Sequence, residues 1–365
     1  MKRVVYGIFV VGIYCGLFGF STVSLAAKWE VKAELPGGPQ NRRMYLATSV
    51  AGDKLYVIGG HGNVKAQVFG VVEYDPRRDA YTEKGEMITP RFMHAASTVK
   101  GKIYVTGGTP AGHQPTAAND EYNPKTDTWT KKANMPTPRT MLGTAVVGGR
   151  IYAIGGLLDP VKGTPSGTVE TYDPRTNTWE KKADMPTPRW DFAIAAVSSR
   201  IYVIGGIVGG GALGTESTNI VEEYDARSDT WTRKADLWLD LSGLSGGFIN
   251  NGKIYVVGGH KKRGDEHNGR GIKKFSWTVY KSLSAYDPEK DAWEELENMP
   301  TERWAFGASV IDGKLYVIGG ATGNLFPLTA ITEVYTPDGW PFPDTFSVSS
   351  EGKLATMWAE IKRRQ

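Results

Sequence analysis

A Gly-Gly pair that closes a short β-branched or apolar run recurs six times in this chain, at Gly59-Gly60, Gly107-Gly108, Gly155-Gly156, Gly205-Gly206, Gly258-Gly259 and Gly319-Gly320. The intervals are 48, 48, 50, 53 and 61 residues. A tyrosine follows each pair, in Tyr74-Asp75-Pro76, Tyr122-Asn123-Pro124, Tyr172-Asp173-Pro174, Tyr224-Asp225, Tyr286-Asp287-Pro288 and Tyr335-Thr336-Pro337. Seven residues beyond the first five tyrosines stands another aromatic: Tyr81, Trp129, Trp179, Trp231 and Trp293. A unit of this length holds a few strands and cannot bury its own apolar face, so it must stack on copies of itself. The 45 glycines among 365 residues are thus punctuation for short strands and tight turns, not a collagen period.

Each unit can be read locally. Lys102-Ile103-Tyr104-Val105-Thr106 and its equivalents are short β-prone runs suited to strands covered on both faces. Gly-Gly ends that strand where a Cβ would clash or φ turns positive. Asp-Pro with a polar pair makes a turn, and the return strand carries the tryptophan.

These three signatures at a period near 50 resemble the kelch repeat, over roughly residues 28 to 337. The resemblance implies an all-β fold, a six-bladed kelch β-propeller with four strands per blade. The sixth unit lacks its return strand, because no aromatic follows Tyr335 at plus seven. The spacing Trp29 to Pro36 matches Trp129 to Pro136, Trp179 to Pro186 and Trp293 to Pro300. Residues 28–33 therefore supply the outer strand of the last blade, and the ring closes by joining the two ends of the chain, leaving no open sheet edge.

Outside the repeats the chain divides into a leader, residues 1–26, and a tail, 341–365, around a propeller of residues 27–340. Lys2 and Arg3 precede an apolar run from Val4 to Phe20, and Ser24-Leu25-Ala26 ends in small residues. This is the pattern of a secretory signal cut after Ala26 or Ala27, the other reading being an uncleaved anchor. Cleavage would remove the single cysteine, Cys15, and lower the net charge from +4 to +2. With neither disulfides nor an Asn-x-Ser/Thr sequon, the expectation is a periplasmic or secreted, bacterial product with no membrane span after cleavage. The small charge excludes a nucleic-acid footprint. In the tail, Leu354, Trp358 and Ile361 have helical spacing, against the alternative of a frayed terminus.

Candidate site residues come from two places. An arginine stands sixteen residues before five of the six Gly-Gly pairs: Arg43, Arg91, Arg139, Arg189 and Arg303. In the fifth unit that offset lands on Ser242. Resemblance to kelch-type substrate adaptors implies that these arginines line one mouth of the ring. Converging guanidiniums would hold a carboxylate, an acidic peptide or an anionic glycan. The competing reading has each arginine packed within its own blade and paired there. The second place is the loop after Gly258-Gly259, with 26 residues before its tyrosine where the others have 13 to 17. It contributes His260 and Trp277 as ligand-binding candidates, unless it is merely a solvated insertion.

No cofactor and no metal site is expected. The five histidines form no ligand pair, and no nucleophile elbow, phosphate loop or dinucleotide motif is present. The expected function is a protein- or glycan-binding module outside the cytoplasm. The alternative is an enzyme resembling the periplasmic six-bladed kelch sialate mutarotases, for which Glu170, Glu222 and Glu333 would be the acid/base candidates. Copper radical chemistry of the galactose-oxidase kind needs a cysteine that the mature chain would lack.

Overall fold

A computed structural model describes residues 27–62, 70–111, 114–209, 216–250, 252–267, 273–323 and 327–340. The leader with Cys15 and the tail both lie outside the described residues. Within them the chain is all-β, and the only helical turn is a 3-10 segment, Gly38–Asn41.

Six antiparallel four-stranded sheets are the blades. Blade two shows the pattern: Ala95–Val99, Lys102–Thr106, Asn119–Asn123 and Thr128–Lys131 follow one another from the axis outward. The first strands of all six blades pack side by side in a closed ring, the strand of blade six (Gly307–Ile311) meeting that of blade one (Ala47–Ala51). In blade six the outer strand is Lys28–Lys32, with Trp29 opposite Tyr335. The ends of the chain therefore share one sheet, as the spacing from Trp29 to Pro36 requires.

The second strand of each blade is buried on both faces, as in Ile103, Tyr104 and Val105, because it is sandwiched between neighbouring blades. Gly107 ends that strand at φ +66°, and a Cβ there would stand 2.6 Å from the Arg139 carbonyl, so only glycine admits the next blade's main chain.

The repeat aromatics divide into two roles. The tyrosine and its plus-seven partner face each other within one blade, as Tyr122 and Trp129 do at 4.9 Å between ring centroids. Contact between blades falls to a different pair: the second-strand tyrosine meets the third-strand tyrosine of the next blade. This occurs at all six seams, Tyr56–Tyr122, Tyr104–Tyr172, Tyr152–Tyr224, Tyr202–Tyr286, Tyr255–Tyr335 and Tyr316–Tyr74, at 5.7–6.1 Å.

A polar latch reinforces five seams. The residue five after the tyrosine (Asp79, Asp127, Asn177, Asp229, Asp291) adopts positive φ and accepts the tyrosine hydroxyl. It also accepts a main-chain N–H from the preceding blade, as Asn177 does from Ala133 at 2.8 Å. Trp179 Nε1 donates to the carbonyl of that same Ala133 at 2.8 Å, gripping one residue by both main-chain groups. Asp79 carries the latch across the closure seam by accepting the N–H of Ala33.

Candidate functional site

In each blade the start of the first strand, the end of the second, the start of the third and the end of the fourth lie at the same face of the ring. Both variable connections, blade to blade and after Gly-Gly, therefore crowd that one face. The segments after Gly-Gly form small hairpins there: Leu157–Asp159 with Thr164–Pro165, Ile207–Val208 with Glu216–Ser217, and His260–His267 with Lys273–Val279. The long fifth connection is thus a two-stranded ribbon, with its tip at 268–272 outside the described residues.

The five arginines are not on that face. Arg43, Arg91, Arg139, Arg189 and Arg303 are 0–1% exposed, each withdrawn into its own blade. Arg139 is typical: its guanidinium donates to the carbonyls of Gly155 and Thr168 at 2.8 and 2.7 Å and to Glu170 at 2.8 Å. Arg91 pairs with Asp120 at 2.6 Å, Arg189 with Glu222, and Arg303 with Glu333 at 2.7 Å. Among the described residues Arg43 pairs with no carboxylate, because Val72 occupies the acid's position; carbonyls of Gly59 and Gly70 receive it, and burial lowers its pKa to about 10. A charge removed from water is kept only by such pairing, so the structure favours the within-blade reading over the ring of anion-binding guanidiniums. The same geometry places the acid/base candidates Glu170, Glu222 and Glu333 in the blades, each buried and engaged by an arginine.

The fifth blade needs a further correction. Its first strand, Ser245–Asn250, carries an irregularity in register between Gly246 and Ile249, which adds one residue. The arginine's place consequently falls to Leu241, not Ser242: the Leu241 carbonyl accepts the Gly206 N–H, as the Arg189 carbonyl accepts that of Gly156. Opposite Val256, where other blades hold the acid, stands Ser284. Both charges of the pair are missing together.

At the centre of the loop face lies an arrangement that the spacing did not suggest. Two residues after each arginine position, Tyr45, Met93, Met141, Asp191, Gly243 and Ala305 adopt positive φ of 51–61°. Each N–H donates to the carbonyl of its predecessor in the ring: Met93 to Tyr45, Met141 to Met93, Asp191 to Met141, Gly243 to Asp191, Ala305 to Gly243, and Tyr45 back to Ala305, at 2.7–3.3 Å. Six main-chain bonds thus make a closed hoop at the axis, and five side chains with the bare Gly243 form the floor of the bowl inside the hairpins. Left-handed backbone in five non-glycine residues is costly, and the completed circle of hydrogen bonds offsets it.

The floor is uneven. Tyr45 and Asp191 stand three places apart, at opposite poles; Met93 and Met141 lie on one side, Gly243 and Ala305 on the other. Asp191 is the only carboxylate of the six. Burial, opposed by the Gly243 N–H, raises its pKa to about 7. Burial and the Asp191 charge push the Tyr45 hydroxyl up. Tyr45 meets Trp304 edge-on at 5.6 Å.

His260 begins the long ribbon and is 3% exposed. Its ring lies between Trp277 at 4.7 Å and Trp304 at 4.5 Å, so the structure brings both candidates from the fifth connection to the bowl's edge. Burial lowers the His260 pKa to about 4. Its Nε2 is 3.4 Å from Ser242 Oγ, while Nδ1 has no hydrogen-bond partner among the described residues and lies over Gly243, 2.6 Å from where a Cβ would be. Asp191 escaped the sequence reading although a signal was there: it is the lone charge at a column otherwise filled by Tyr, Met, Met, Gly and Ala. No group of three or more metal-ligating side chains occurs among the described residues.

Among the described residues, five large apolar side chains are exposed, and four of them belong to the loop face: Ile88 and Trp238 in blade-to-blade connections, Leu158 and Val161 in the hairpin of blade three. Only Val31 lies elsewhere, on an outer strand.

Six blades with a hoop-floored bowl and loops at one face define a β-propeller of the kind built from repeats. The KLHDC2/KLHL20/DRC7 Kelch-repeats domain model matches residues 16–206, and the Kelch motif model matches 188–237 and 246–300. The first spans more than half of the chain, and the chain belongs to the kelch-repeat family. It is 32% identical over 115 residues to an F-box/kelch-repeat protein of Arabidopsis thaliana, covering 32% of this chain and 27% of the relative. It is 31% identical over 131 residues to the human kelch repeat and BTB domain-containing protein 12, covering 33% and 20%. The matched spans are thus about a quarter or less of these relatives' lengths. The solved structure of YjhT superimposes with a TM-score of 0.67 at 18% identity, covering 82% of this chain and 95% of that one, a likeness of fold.

Proposed function

We propose that this kelch propeller is a protein-binding module outside the cytoplasm, and that it docks its partner on the loop face. Kelch-repeat propellers are commonly protein-interaction modules. One observation carries the reading here: Ile88, Leu158, Val161 and Trp238 are exposed on the single face where connections vary in length. Solvent-exposed apolar groups gathered on one face of a rigid scaffold are the mark of an interaction surface. Trp238 and Ile88 also hold the place that Pro36, Pro136, Pro186 and Pro300 take in the other four connections. The export assignment rests on Lys2-Arg3, the apolar run after them and the absence of cysteine from 27–365.

The test of docking is a selection of displayed peptides on the purified protein. Selected peptides should bind at least tenfold more weakly to Trp238→Ser and Val161→Ser variants whose melting temperatures are unchanged. Equal binding to those variants would remove the loop face from the assignment. For export, cell fractionation followed by N-terminal sequencing should give a chain beginning at Ala27 or Lys28; an intact Met1 terminus in the cytosol would refute it.

A further inference from the structure

The bowl at the axis is chemically lopsided, and its parts converge on one kind of ligand. We propose that its floor is a socket for a single basic side chain, a lysine ammonium or an arginine guanidinium, of the docked protein. This rests on the protein-docking reading above and names the group that would anchor it.

The hoop sets Asp191 on the floor with Tyr45 at the opposite pole and two thioethers, Met93 and Met141, between them. On the other side Gly243 and Ala305 leave the space over which His260 lies, backed by Trp304. A carboxylate on the same hoop as an aromatic ring and two polarizable thioethers suits a cation, which gains from the charge and from the π-system. An anion would meet Asp191 head-on. The five arginines that might have offset that charge are buried elsewhere, four of them against their own carboxylates.

His260 adds an acceptor. With its proton on Nε2, facing Ser242 Oγ, the unpartnered Nδ1 offers a lone pair over Gly243. A buried polar atom without a partner is uncommon enough to ask what satisfies it; Nδ1 is closed off from solvent over Gly243, so an N–H of the incoming group would reach it only once the ring turned outward. Because burial keeps His260 neutral near pH 7, it adds no competing positive charge. The groups acting on Asp191 among the described residues are Tyr45, neutral in the same range, and the Gly243 N–H. Cation binding should therefore strengthen as the Asp191 carboxyl loses its proton.

The test titrates the purified protein with n-butylammonium and with N-acetyl-arginine amide, using n-butanol and acetate as controls, followed by ligand-observed NMR. Both cations should bind in the millimolar range, tighten several-fold from pH 5 to pH 8, and weaken at least tenfold in Asp191→Asn. That variant keeps the hoop, which is made of main-chain atoms, and a thermal melt checks its fold. Equal binding to wild type and Asp191→Asn, or butanol binding as well as butylammonium, overturns the socket. Peptide selection separates the two readings. Peptides that depend on Trp238 but show no basic preference and ignore Asp191→Asn leave docking intact and overturn the socket. If no peptide is selected, docking falls and the cation titration alone decides the socket.

Discussion

Nη2 of Arg139 lies 2.8 Å from Oε2 of Glu170, and both side chains are buried. The pair ties the connection entering blade three to that blade's third strand. The Arg139 carbonyl meanwhile accepts the Gly108 N–H of blade two at 2.9 Å. One residue thus joins two blades, by its side chain on one hand and its main chain on the other.

Removing one partner should cost far more than removing both. Arg139→Ala leaves Glu170 buried and uncompensated, a loss of about 3–5 kcal/mol. The double variant Arg139→Leu/Glu170→Ser copies the Leu241 and Ser284 arrangement of blade five and should recover most of it. Urea unfolding of the three proteins checks this; a double variant no better than the single one would show that the pairing is not what holds the arginine.

The seam latch can be weakened without touching the core. Asn177→Ala removes the acceptor for the Tyr172 hydroxyl and the Ala133 N–H, and it forces a non-Asn residue into φ +59°. The expected loss is about 1–3 kcal/mol, with Asn177→Asp near wild type because aspartate holds this place in four blades. Thermal melts would measure it.

His94 is a polar outlier. Leu46, Leu142, Phe192, Leu244 and Phe306 hold the equivalent place, three residues after the arginine position, and all six are buried. Burial, with the Arg91 charge, lowers the His94 pKa to about 3. The unfolded chain then takes up a proton that the fold refuses, so stability is complete above about pH 6.5 and drains away as pH falls toward 3. His94→Leu should unfold at higher urea than wild type, by about 1 kcal/mol at pH 7 and by more at pH 5. A variant with the wild-type acid sensitivity would assign that sensitivity to other groups.

Asp191 has the opposite sense. Its folded pKa, near 7, exceeds the unfolded value, so the native state binds the extra proton. Its stabilising share is therefore present below about pH 4 and lost as pH rises to about 7, with no further change above. Since the side chain is partly exposed, the loss is on the order of 1–3 kcal/mol. Asp191→Asn should abolish that slope and be the more stable protein at pH 8; the difference between the two urea-midpoint curves against pH isolates it from the histidines.

Much of the architecture is legible in the chain alone because each blade repeats one local solution. Tyr122 and Trp129 lie on adjacent strands, so their spacing records a contact made inside a blade, and Gly107 marks the strand end where the next blade's main chain comes close. The position of Trp29 ahead of Pro36 revealed even the closure, since the missing strand had to come from the other end. The latch at Asn177 was less visible: Asp or Asn after a turn is ordinary, and its partner Ala133 carries no side-chain signature.

What the sequence by itself determined was the number of blades and the strand that closes the ring. Tertiary structure decided where the arginines lie, buried and four of them paired within their blades, and where the unusual carboxylate lies. The reason is physical. Arg139 and Glu170 are 31 residues apart, and whether a guanidinium faces a ligand or a carboxylate depends on the depth at which the strands bury it. The hoop that sets Asp191 opposite Tyr45 is made of main-chain groups, which every residue but proline carries alike and no side-chain pattern announces.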